Sequence, residues 1–316
     1  MKLDLAGLIP ATVLPMTVNA EIDEPGLRRY IRHVVAAKPK ALAINVDTGE
    51  GPHLWPDERL RVLEVVIDEV GGQVPVVAGL GAQFTSHAVT LAQDFKRVGA
   101  AGLLVFPISA FQGAPLDAEV AVRYHAAIGD ATGLPLILFV LQPALGGVNF
   151  LPELLAKLCL VTDVAAIKEA SFDPQLFVRT RDAVKAARPD CTILTGNDNF
   201  IYESFLLGAE GALIGFGAVA TRQQVELIEH ALAGRHAQAR AIMDRLTPLV
   251  NEIFAAPVRG YRARAKAALV MQGVLEGETV REPLLPISDQ ERERIRAAMR
   301  IAGELDEPAA LAEAAR

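Results

Sequence analysis

The sequence predicts a (β/α)8 barrel, an α/β fold, followed by a C-terminal helical appendage. Three observations point there: short apolar runs alternate with helix-period segments across residues 7–234, the runs number eight, and past residue 234 only helix-period segments remain. Runs without strict polar alternation suit strands buried on both faces, the situation of a parallel sheet covered by its crossover helices. The chain has 316 residues, 51% apolar and 22% charged, enough core-forming material for one large domain. The barrel is expected over 1–234 and the appendage over 235–316.

The first run, 7–13, follows Lys2 and superficially imitates a secretory leader, but Asp4, Pro10 and Pro15 oppose that reading and a buried strand fits better. Runs at 41–46, 74–79, 102–106, 135–140, 164–168, 192–195 and 212–215 supply the other strands. Segments such as 58–70, 86–98, 116–131 and 174–187 carry the 3.6-residue period of covering helices. Helices are then expected near 237–254, 259–272 and 288–302. The alanine-rich, acidic stretch 303–316, interrupted by Pro308, is expected to fray.

Charge and composition narrow the function. Against 38 acidic side chains stand 31 basic ones, a net charge of −7, which removes the electrostatic footprint of a nucleic-acid or anionic-membrane binder. Small molecules or other subunits are the expected partners. Only Cys159 and Cys191 are present and the six histidines show no HExxH spacing, so a reducing compartment with no metal and no cofactor is expected. No stretch approaches the roughly 18 uninterrupted apolar residues of a membrane span, and a cytoplasmic location is expected.

In such barrels chemistry sits at the C-terminal strand ends. Around the sixth run, period two places Val164, Ala166 and Lys168 on one face and Ala165, Ile167 and Glu169 on the other. Small residues beside Lys168 suggest the barrel interior. An amine held there loses hydration, which lowers its pKa and supplies the neutral nucleophile that attacks a carbonyl. A lysine snorkelling to the rim is the competing reading. The same treatment of the second run sets Ala41, Ala43, Asn45 and Asp47 inward and Leu42, Ile44 and Val46 outward. Thr48 and Gly49 then begin a loop whose backbone N–H groups could cradle a carboxylate. After the seventh run, Gly196, Asn197, Asp198 and Asn199 offer hydrogen bonds suited to hydroxyls, or a helix N-cap.

Two glycine patterns, Gly79-x-Gly81 and Gly215-Phe216-Gly217-Ala218-Val219-Ala220, are read as tight turns rather than dinucleotide sites, because a doubly wound fold carries its fingerprint at the first strand. The basic run Arg259, Arg262, Arg264 and Lys266 is read as a solvated or intersubunit helix face.

Ile167-Lys168-Glu169-Ala170-Ser171, taken with Thr48-Gly49-Glu50, resembles the dihydrodipicolinate synthase and N-acetylneuraminate lyase family. Further echoes are Ile9-Pro10-Ala11-Thr12, Ala78-Gly79-Leu80-Gly81-Ala82, Pro152-Glu153-Leu154-Leu155 and Gly196-Asn197-Asp198, so the likeness spans nearly the whole chain. The resemblance implies a homotetramer or homodimer whose Lys168 forms a Schiff base with pyruvate or a related 2-oxo acid. It implies substrate contacts at Thr48, Gly49, Phe139, Gly196, Asp198, Asn199 and Phe216. Departures are marked. Phe139 stands where the family has its proton-shuttling tyrosine, Leu145 where an arginine grips a second carboxylate, and Ile108 and Ser109 replace two tyrosines. His87 stands where the synthase's inhibitory lysine site has an acidic residue, and Phe216 where the lyase has a hydroxyl.

Asp47 replaces the first threonine of the family loop. Burial against Phe139 would raise its pKa and let it act as a general acid or base, the alternatives being an N-cap or a salt bridge to a rim cation. The leading expectation is a Schiff-base lyase, an aldolase or dehydratase acting on a 2-oxo acid with a sugar-derived or apolar tail, and not a true dihydrodipicolinate synthase. Alternatives are synthase or N-acetylneuraminate lyase activity, and a non-catalytic, ligand-binding relative.

Overall fold

The computed structural model describes residues 3–113, 116–161 and 163–306. Its strands are β1 (Leu8–Pro10), β2 (Leu42–Ile44), β3 (Val76–Leu80), β4 (Gly102–Val105), β5 (Leu136–Leu141), β6 (Val164–Ala170), β7 (Thr192–Thr195) and β8 (Gly211–Ile214). All pair in parallel, in the order β1-β8-β7-β6-β5-β4-β3-β2. A parallel bridge between Ala11 and Ala43 joins the two outer strands and closes the barrel. The amides of Lys40 and Thr12 donate to the carbonyls of Leu8 and Ala43 across the same seam.

Helices follow the strands in turn: α1 (Glu24–Ala36), α2 (Pro56–Val70), α3 (Thr85–Val98), α4 (Ala118–Thr132), α5 (Pro152–Leu158), α6 (Pro174–Ala187), α7 (Ile201–Leu206) and α8 (Thr221–Leu232). Their starts are written locally. Asp23, Asp117 and Asp173 accept from first-turn amides of α1, α4 and α6, and proline occupies the first turn of α1, α2, α5 and α6, where its missing N–H costs nothing. The appendage is α9 (His236–Ile253), α10 (Tyr261–Met271) and α11 (Asp289–Ala302), the last opened by a Ser288–Glu291 capping box. Most of the tail expected to fray, 307–316, lies outside the described residues. Among those residues no helix is long and apolar enough to cross a membrane.

Two apolar clusters hold the fold. A large one lies between strands and helices; a smaller one, with Ile9, Ala43, Val77, Leu104, Ile137, Ala166, Leu194 and Leu213, fills the barrel. Two strand readings need correction. Val164 faces outward, into the helix-side cluster, while Ala166 faces inward, because the β5–β6 register shifts between Leu136 and Ile137 and passes over Ala165. At the end of β2, Asn45 takes a left-handed backbone (φ 59°), which interrupts the alternation. Its amide side chain turns to the Arg59 carbonyl on α2, and Val46 joins the barrel interior instead. Gly79 permits that kink: a Cβ there would lie 2.5 Å from the Asn45 carbonyl oxygen.

The basic run is also not a solvated face. Every residue from Tyr261 to Leu269 is buried, and of the run only Arg259 is exposed. Arg264 pairs with Glu291 and donates to the carbonyls of Ile253 and Ala255, fastening the turn between α9 and α10. Lys266 pairs with Glu50, both side chains wholly without exposed surface, and donates to Thr279 O. The second Glu50 oxygen accepts from the Arg281 amide.

Removing one member of such a buried pair strands the other charge, at a cost of about 3–5 kcal/mol. Lys266→Met should therefore lower the unfolding free energy by about 3 kcal/mol or more in denaturant titrations, and the double change Glu50→Gln/Lys266→Met should cost clearly less than the two single changes added together. Simple additivity would show the pair to be energetically uncoupled.

Candidate active site

Lys168 lies near the C-terminal end of β6, its Cα opposite Phe139 of β5 and Leu194 of β7. Its ammonium nitrogen sits 4.2 Å from the centroid of the Phe139 ring, and that ring is fixed edge-on by Phe106. Burial strips water from the amine and lowers its pKa to about 8, against the opposing pull of Asp198 and then Asp47. Gly196 makes room for it. A Cβ at that position would lie 2.7 Å from Lys168 Cε and 2.8 Å from Ala170 Cβ, so only glycine leaves room for the lysine stem; its own amide donates to the Glu169 carbonyl.

The pocket around this amine is lined by Val46, Asp47, Thr48, Phe139, Leu141, Leu145, Lys168, Ala170, Phe172, Gly196, Asp198, Gly215, Phe254, Val258 and Tyr261. Five of these carry polar side chains: Asp47, Thr48, Lys168, Asp198 and Tyr261. The backbone amides of Thr48 and Gly49 have no hydrogen-bond acceptor among the described residues; Thr48 lines the pocket, whereas Gly49 is not among its lining residues. Asp47 is engaged by α10: Arg262 pairs with its carboxylate at 2.5 Å and donates through Nε to its backbone carbonyl. The Tyr261 hydroxyl stands 3.1 Å from Asp47 Oδ2 and 3.2 Å from Thr48 Oγ1. Burial above all, with Asp47 adding to it, raises the phenol well above its ordinary pKa.

On the β7 side, Asp198 accepts from the Phe216 amide at 2.8 Å, and burial raises its carboxyl to about 6. Asn197 knits β6 to β7: its amide donates to the carbonyl and the carboxylate of Glu169, and its oxygen accepts from the Phe172 amide. The Glu169 carboxyl, wholly buried, is shifted upward by desolvation. Asn199 is exposed and outside the pocket. The Phe216 ring belongs to the helix-side core, so only its backbone reaches the site. Phe139 lines the pocket as a bare phenyl surface. Among the described residues no group of three His, Cys, Asp or Glu side chains could hold a metal ion.

The sequence reading missed what the C-terminal helices contribute. Phe254, Val258, Tyr261 and Arg262 reach the barrel mouth from beyond residue 234, and Leu141 and Phe172 extend its apolar wall. A signal was present. Arg262, Arg264 and Lys266 stand two residues apart, roughly 200° around a helix at each step, so they could not share one solvated face.

A family model described as the dihydrodipicolinate synthetase family matches residues 4–302. The 4-hydroxy-tetrahydrodipicolinate synthase of Escherichia coli strain K12 is 32% identical over 297 residues, 94% of this chain and 98% of that protein. Among solved structures, dihydrodipicolinate synthase from Thermotoga maritima matches with a TM-score of 0.86 at 29% identity, covering 95% of this chain and 99% of that one. The chloride-inhibited dihydrodipicolinate synthase from Acinetobacter baumannii, complexed with pyruvate, matches with a TM-score of 0.83 at 25% identity over 95% and 99% of the two chains.

The electrostatics give a direct check. In NMR titrations of side-chain-labelled lysine, the resonance lost in Lys168→Met should titrate near pH 8. In Asp198→Asn the midpoint should fall further, since a carboxylate favouring the charged amine is gone. A midpoint near the ordinary lysine value of 10.5 would contradict the desolvated setting.

Proposed function

Because the chain belongs to the dihydrodipicolinate synthetase family, we propose that it is a Schiff-base-forming lyase acting on pyruvate or a related 2-oxo acid, and that the group beyond the reacting carbons is apolar. The observation that carries this reading is the desolvated Lys168 amine held over Phe139 inside a pocket also lined by Thr48, whose backbone amide has no acceptor among the described residues. With a pKa of about 8, a substantial fraction of Lys168 is neutral at physiological pH. Its lone pair attacks C2 of the 2-oxo acid and loss of water gives the imine. The protonated imine then accepts the electron pair released when a bond one carbon further along is cleaved. Thr48, through its hydroxyl and amide, and Gly49, through its amide, receive the substrate carboxylate. The site therefore recognises the acid function with neutral donors and keeps Arg262 for Asp47.

The tail is read from the opposite wall. Leu141, Leu145, Phe172, Phe254 and Val258 supply the apolar part of the pocket lining, so a second carboxylate among them would meet Leu145 instead of a guanidinium. A charge left unpaired in such a place costs several kcal/mol. This argues against dihydrodipicolinate synthesis as the reaction. Sugar recognition loses its support as well, with Asn199 outside the pocket and Gly196 committed to the lysine stem.

Borohydride reduction in the presence of pyruvate should add one mass equivalent per chain, mapped to Lys168 and absent in Lys168→Ala. No adduct with pyruvate or any of a panel of apolar-tailed 2-oxo acids would favour a ligand-binding relative over an enzyme. Expressed in a strain lacking dihydrodipicolinate synthase, the protein should not restore growth without diaminopimelate; full restoration would overturn the exclusion of synthase activity.

A further inference from the structure

Imine chemistry needs a group that gives and takes a proton beside the lysine, and the strand facing Lys168 offers only the phenyl ring of Phe139. Of the other polar side chains lining the pocket, Asp47 is ion-paired with Arg262 and Asp198 accepts from the Phe216 amide. Thr48 belongs to the carboxylate-receiving loop. That leaves Tyr261, the first residue of α10. Its ring is stacked on Phe254 with centroids 4.9 Å apart and an interplanar angle of 17°. Its hydroxyl has one proton and two acceptors within reach, Asp47 Oδ2 and Thr48 Oγ1. The neighbouring Arg262 holds Asp47 from the far side, and Gly215 keeps the approach narrow, since a Cβ there would lie 3.2 Å from Thr48 Oγ1 and 3.3 Å from Tyr261 Cε2. A phenol fixed in this way is oriented at the same loop that receives the substrate's acid function.

We propose that Tyr261, delivered from the C-terminal helices, is the catalytic proton-transfer residue of this site, an assignment that rests on the Schiff-base reading above. Attack of neutral Lys168 on C2 forms the C–N bond and places the carbonyl π pair on oxygen; transfer of one proton from nitrogen to that oxygen gives the carbinolamine. Tyr261 then gives its proton to the carbinolamine hydroxyl as the nitrogen lone pair forms C=N and the C–O bond breaks. Water leaves, and a phenolate stands beside an iminium cation. The phenolate next removes a proton from C3; the C–H pair forms C=C while the C=N π pair returns to nitrogen, which yields a neutral enamine and restores the phenol. Asp47 and Arg262 act through Tyr261 as positioning residues.

Pyruvate in D2O is the probe, with proton NMR following loss of its methyl signal and borohydride trapping following the adduct. Tyr261→Phe keeps the stack on Phe254 and removes one oxygen. The Lys168 adduct should still form on long incubation, though more slowly, while methyl exchange should fall about 100-fold or more, the usual range for a general acid–base group. Adding Phe139→Tyr to that variant should recover at least tenfold, because the new phenol rises from the ring beneath Lys168 Nζ. Exchange in Tyr261→Phe within a few-fold of the parent overturns the assignment and leaves the Schiff base standing. A parent protein that forms no adduct overturns the Schiff-base reading and the assignment together.

Discussion

Glu50 and Lys266 meet with no exposed surface on either side chain, and the position of everything else at the barrel mouth follows from that contact. Glu50 ends the loop that leaves β2, and Lys266 lies midway along α10. Two charges taken out of water must be paired and further hydrogen-bonded, and here Thr279 O and the Arg281 amide complete the set. The pair thus admits one placement of α10 against the loop. One turn earlier on the same helix, Arg262 reaches Asp47 and Tyr261 reaches Asp47 and Thr48. An appendage that could have been a packing accessory becomes one wall of the pocket.

Lys168 shows the opposite use of burial. Its amine lies over an aromatic face, and desolvation outweighs the carboxylates of Asp198 and Asp47, lowering its pKa to about 8 so that a fraction is neutral at physiological pH. Lys266 is equally buried, and desolvation lowers its pKa as well, but Glu50 accepts directly from its ammonium group and the pair is structural. The same side chain serves two ends because the distance to its counter-charge differs. The upward shift of Asp198 belongs with this balance: its carboxyl, at about 6, ionises before Lys168 loses its proton, so the two groups oppose one another across the pocket.

Much of the architecture was legible because a strand buried on both faces must be an apolar run, and eight such runs are hard to mistake. The inward lysine was legible for a related reason: Ala166 and Ala170 leave room that only the barrel interior requires. What could not be read were the departures from strict period two. The bulge beside Ala165, set by register against β5, and the left-handed Asn45, accommodated by Gly79 of β3, each exchange the two faces of a strand. The roles of Tyr261 and Arg262 were hidden by sequence distance, since 214 residues separate Tyr261 from Asp47 and no local pattern reports that they touch. Reading Arg262, Arg264 and Lys266 as a surface followed composition, where geometry around the helix axis contradicted it.

The proposed chemistry rests on a desolvated lysine attacking a 2-oxo acid whose carboxylate is received by the loop after β2, under a wall supplied by α10. The most direct test is a crystal structure of the protein reduced with borohydride in the presence of pyruvate. Continuous density from Lys168 Nζ to C2 of the adduct, with its carboxylate on the Thr48 and Gly49 amides, is the predicted result. An unmodified Lys168, or a carboxylate bound to Arg259 at the exposed rim with the loop amides unoccupied, would contradict it.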